Sequence, residues 1–270
     1  MDAGEERGSV VPPDSGSNAQ GGAALEMTQR WLSELYDLEV SHPVGDFICS
    51  AEQARRLVGD QVDRGEVLIV HESADGTSVG LYIAASAIAS YERTTDWLLS
   101  ERFGACCLVT EGVSHFVYLS FRASNGEEVS QLELELQAEV DKYAVGLLSG
   151  SEVRSGQDAP PTKGAGSRDH FGAGNRTLSR SGVLSGNGVG VILERSRWLR
   201  RKLFLEAEFL DPTSSELGLR YRTAHRLAYR YTARLEETLC MSGGLPELER
   251  ELRRFYRMGA SAKLRKAETA

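Results

Sequence analysis

Arg222, Arg226, Arg230 and Arg234 recur at intervals of four. On a helix that spacing makes a single row, about 6 Å between neighbours at a 1.5 Å rise per residue. Arg197, Arg200 and Arg201, with Arg195 and Lys202, add a second cluster around Trp198. Of the 21 basic residues in 161–270 only four are lysine, and arginine is the residue suited to bidentate pairing with carboxylate or phosphate. The chemistry on offer is anion binding. A solvated helix face, or a face docked on acidic residues of the same chain, accounts for the same pattern.

Glu111, His115, Glu135 and Glu139 form a conceivable metal-ligand set, because Glu135 and Glu139 share a helix face. An exposed acidic face has the same spacing, and His115, between two apolar runs, reads as a satisfied strand histidine. No metal and no cofactor are therefore expected. The glycine run Gly182–Gly190 lacks the Gly-Lys-Ser/Thr ending of a phosphate loop and reads as linker. Cys49, Cys106, Cys107 and Cys240 show no CxxC spacing and read as free thiols.

Arg220 and His225 stand in an R-x4-H spacing on a predicted helix. These six residues resemble the active-site signature of HEPN ribonucleases. The resemblance implies a helical domain that places an arginine and a histidine near one another across a dimer. His225 would then act as acid and base, and Arg220 would stabilise the developing phosphate charge.

Charge divides the chain. Residues 1–160 carry 27 acidic and 10 basic side chains, a balance of −17, whereas residues 161–270 carry 12 and 21, a balance of +9. Such asymmetry speaks about partners. It points to an acidic protein surface, the chain's own N-terminal part among the candidates. Nucleic acid ranks behind it, because the net charge of −8 repels polyanions at long range. The longest apolar stretches fall well short of the roughly 20 residues that span a membrane, so no membrane partner is expected. The N-terminus is acidic where a signal peptide needs positive charge, which reads as cytoplasmic.

The elements that must position these residues give an α+β reading: an N-terminal antiparallel sheet with flanking helices, then a small all-helical C-terminal domain. Residues 1–23 read as a flexible tail, 24–148 as an acidic α+β domain and 149–189 as a Gly/Ser/Pro-rich linker. Residues 190–260 read as an Arg-rich helical domain and 261–270 as a tail. Leu25, Trp31 or Leu32, Leu35 and Leu38 set a first helix, and Ser50 with Gln53 forms a capping box for a second. Val67–His71 and Val79–Ile83 flank Asp75-Gly76 as one hairpin; Ala105–Thr110 and His115–Arg122 flank Glu111-Gly112 as another. A helix over 127–148 buries Val129, Leu132, Leu136, Val140, Tyr143 and Leu147. Three helices follow, over 191–210, over 216–241 and from Pro246. The expected function is non-enzymatic binding or regulation through a macromolecular partner; the alternative is a HEPN-like ribonuclease or another nucleic-acid enzyme built on the Arg-rich helix.

Overall fold

The computed structural model describes residues 19–73, 76–92, 102–149, 186–242 and 244–270. It is mostly helical, with one small antiparallel sheet, broadly the α+β class. Helix α1 (Ala19–Tyr36) buries Leu25, Leu32 and Leu35. Helix α2 (Ala51–Val58) starts at the expected capping box: Ser50 Oγ accepts from the Gln53 N–H, and the Gln53 side chain accepts from the Ser50 N–H. Strands β1 (Glu66–Ser73) and β2 (Gly76–Ile83) pair in the register Val67 to Tyr82 and Val70 to Val79. A short helix α3 (Ala85–Glu92) follows.

The second expected hairpin is instead one helix, α4 (Phe103–Ser124). Within it Cys106, Val109, Val113, Phe116 and Val117 recur at steps of three and four and are buried. Glu111-Gly112 is therefore no turn. A Cβ at Gly112 would lie 2.9 Å from both Glu66 Cγ and Ile83 Cδ1, so the glycine serves close approach: it lets the β-hairpin cross directly over α4.

Helix α5 (Gln131–Leu148) begins at the N-cap Ser130, whose hydroxyl accepts from the Glu133 N–H at 3.2 Å. Its start is four residues later than expected; Glu127 lies before it and pairs with Arg122 at 2.6 Å. Leu136, Val140, Tyr143 and Leu147 are fully buried, and α5 packs against α4 on one side and the C-terminal helices on the other.

Helix α6 (Gly186–Arg200) continues as a π-helical turn through Leu205 and precedes α7 (Glu216–Ser242) and α8 (Leu245–Tyr256), with Pro246 in the first turn of α8. The expected tail at 261–270 is a further helix, α9 (Ala260–Glu268), with Lys263 and Ala267 fully buried. Buried side chains from α1 and α4–α9 form one continuous cluster. Of the expected tail and linker, residues 1–18 and 150–185 lie outside the described residues; the remaining ends begin α1 and α6 and close α5. Among the described residues no helix is long and apolar enough to cross a membrane.

Candidate functional site

Because residues 103–124 are helical, Glu111 and His115 lie one turn apart on a single face of α4. Opposite them, Glu135 and Glu139 lie one turn apart on α5. Glu66 enters from β1, and Arg220, Tyr221 and His225 enter from α7. His115 is 6% exposed. Its Nδ1 lies 3.4 Å from Glu66 Oε1 and its Nε2 lies 3.5 Å from Glu135 Oε2. That buried Nε2 makes no hydrogen bond among the described residues. One ligand atom each from Glu111, His115 and Glu135 lies within 4.8 Å of the other two.

Cations frame the cluster. Lys142 Nζ lies 3.0 Å from both Glu111 Oε2 and Glu139 Oε1. Arg220 donates to the Gln131 side chain, and its Nε lies 3.8 Å from Glu135 Oε1. His225 Nε2 donates to the Phe204 carbonyl at 3.0 Å, leaving Nδ1 3.9 Å from Glu139. Four carboxylates thus face two permanent cations, a surplus of two negative charges while both imidazoles are neutral.

The proton affinities follow from these neighbours. Burial opposes the His115 imidazolium, but Glu66 and Glu135 outweigh it and hold the group well above the ordinary histidine range. Burial raises Glu111, offset in part by Lys142. Burial also works against ionising Glu139, yet Lys142 and His225 bring that carboxyl down to about 2. The Tyr221 hydroxyl is pushed up by burial and then by Glu135, Glu111 and Glu66; its ring stands beside the same carboxylates.

The arginines singled out by spacing lie elsewhere. Arg226, Arg230 and Arg234 are exposed, and among the described residues no carboxylate lies within ion-pair distance of Arg226 or Arg234. Arg230 donates to the Glu268 carbonyl at 3.0 Å. Arg222 donates to the Gly218 carbonyl and stacks over Phe209 at 4.6 Å. Arg197 and Arg200 lie 3.6 Å and 3.5 Å from Glu236, and Arg201 pairs with Glu206. The α7 side that meets α5 presents Arg220 and His225, each directed at a different α5 carboxylate. Glu66, Lys142 and Tyr221 belong to the cluster and carry no local sequence signal for it, apart from the three-residue step from Glu139 to Lys142.

A shallow groove beside α1, lined by Glu26, Gln29, Arg30 and Ser33, shares none of these residues. Comparison of the chain with protein-family models, with curated proteins and with solved structures finds no match.

Proposed function

We propose that the chain binds one divalent metal ion through Glu111, His115 and Glu135. The observation that carries this is the state of His115: Nδ1 is turned to the buried carboxylate of Glu66 while Nε2, also buried, makes no hydrogen bond among the described residues and faces Glu135 at 3.5 Å, with Glu111 in the same small cluster. A carboxylate on the far ring nitrogen is the usual device that orients a metal-bound imidazole and raises its basicity. A divalent ion that displaces the His115 proton would also offset the surplus negative charge of the buried cluster. Mixed nitrogen and oxygen donors suit Zn²⁺, Mn²⁺ or Fe²⁺. Three protein ligands leave a coordination position for water, the arrangement that supports metal-assisted hydrolysis.

The test is calorimetric titration of chelator-treated protein with Mn²⁺ and Zn²⁺. One site per chain is expected, with His115→Gln and Glu135→Gln abolishing binding and the exposed Glu237→Gln leaving it intact. Saturation at 100 times Kd should stabilise the fold by about 2.7 kcal/mol. Absence of binding, or binding indifferent to His115→Gln, would show the cluster to be an imidazolium held between two carboxylates.

A second reading, macromolecular recognition through the α7 arginine row, is favoured by the exposure of Arg226, Arg230 and Arg234 and the lack of carboxylates beside two of them. Its occupant would be an acidic protein surface, and salt should weaken the complex as screening sets in beyond about 10 Å at 0.1 M.

A further inference from the structure

Two guanidinium groups, those of Arg64 and Arg220, flank the Tyr221 ring, and Arg220 reaches the proposed ligand Glu135. Arg64 forks the Asp211 carboxylate at 2.7 Å and 2.6 Å. The guanidinium carbons of Arg64 and Arg220 lie 6.0 Å and 5.8 Å from the Tyr221 ring centroid. Asp211 feels Arg64 first, and Arg222 and Arg220 beyond it, all favouring its charged form. Among the described residues Asp211 is the carboxylate in the fork of Arg64, and Arg220 contacts Gln131, the Tyr221 ring and, at ion-pair distance, Glu135. Arg220 also holds a buried Nε with no hydrogen bond, on a side chain 19% exposed. Among the described residues that Nε has Glu135 at ion-pair distance and no hydrogen-bond acceptor, on a side chain that reaches solvent.

Resting on the metal reading above, we infer that the metal-loaded cluster takes a phosphate-monoester dianion. One phosphate oxygen would meet the metal and another would meet Arg220, with Arg64 in the outer ring of charge. Arg220 is placed for this because it already stands within 4 Å of the ligand Glu135, so metal and guanidinium share one small volume. A planar guanidinium suits a tetrahedral oxyanion. The empty cluster carries surplus negative charge and repels such a ligand, so metal and phosphate must bind together.

Inorganic phosphate is the probe, with full-length chain loaded with Mn²⁺. Paramagnetic relaxation of the ³¹P signal reports proximity to the metal, and calorimetry reports affinity. Phosphate should bind the loaded protein and not the chelated protein. Arg220→Gln should weaken it roughly 10- to 100-fold, the range for losing a hydrogen bond to a charged group. Arg64→Gln should weaken it less, and the exposed Arg226→Gln should leave it unchanged. Mn²⁺ affinity should be retained or tightened in Arg220→Gln, which confirms folding and an intact metal site. Mn²⁺ binding with phosphate affinity equal in wild type and Arg220→Gln overturns the phosphate inference alone. Acetate binding as tightly as phosphate overturns it too. Failure of Mn²⁺ to bind removes the metal reading, and the phosphate inference with it.

Discussion

Replacing Lys263 by methionine should flatten the pH dependence of stability above neutrality. Lys263 sits on α9 with no exposed surface. Its Nζ donates to the Tyr118 hydroxyl at 2.6 Å, to Gln137 Oε1 at 2.7 Å and to the Tyr256 carbonyl at 3.4 Å. It also lies 4.0 Å over the Tyr118 ring. Glu133 and Asp141 on α5 attract it and Arg122 on α4 repels it. Burial is the largest effect and brings the ammonium from its ordinary 10.5 down to about 7. Between those values the unfolded chain holds a proton that the folded chain has released. Stability therefore rises with pH across that window, by roughly 1 kcal/mol per pH unit for one proton. Asp141, raised to about 6 mainly by burial, acts in the opposite sense and is complete below neutrality. Urea unfolding of wild type and Lys263→Met at pH 7.5, 8.5 and 9.5, followed by circular dichroism, reads the difference that the lysine makes, above the range in which Asp141, itself held down by Lys263, titrates in the wild type. The wild type should gain on the variant by about 2 kcal/mol over that range. Lys263→Gln, which keeps a donor without the charge, should behave like the methionine variant. Parallel curves for all three proteins would refute the reasoning.

Leu136→Ala, at the fully buried centre of α5, should cost about 2–5 kcal/mol in denaturant unfolding. Gly112→Ala should cost about 1–3 kcal/mol, because the new methyl overpacks Glu66 and Ile83. Gly104→Ala in the same helix meets nothing within 4 Å and should stabilise it, by at most about 1 kcal/mol. Arg226→Glu with Arg234→Glu should change stability by less than about 0.5 kcal/mol, and a larger loss would place those side chains in internal contacts.

Local patterns carried much of the fold. The Ser50–Gln53 box starts α2 because its hydrogen bonds span only three residues. The β1–β2 hairpin follows from neighbouring β-rich runs, and α1, α5, α7 and α8 follow from apolar spacing at three and four. Helix α4 escaped that reading. In His115–Arg122 the continuous apolar run Phe116 to Leu119 fits either period, and Glu111-Gly112 imitates a turn. The deciding fact lies outside the segment: Gly112 is small because β1 and β2 cross it. Reading that stretch as strands puts Glu111 in a turn and makes His115 a satisfied strand histidine, which discounts the set of Glu111, His115, Glu135 and Glu139.

The cap, the hairpin and the amphipathic stripes depend on residues a few positions apart, and the charge asymmetry on composition alone, so all are properties of the sequence itself. Tertiary structure alone decided which charges matter. It left Arg226 and Arg234, regular in spacing, in solvent, and carried Glu66, His115, Glu135 and Arg220 to one place from four separate elements. It also buried Lys263 within a segment that reads as a polar tail, where Tyr118 and Gln137 supply its acceptors. Burial of a charge depends on partners more than a hundred residues away, and no local period records them.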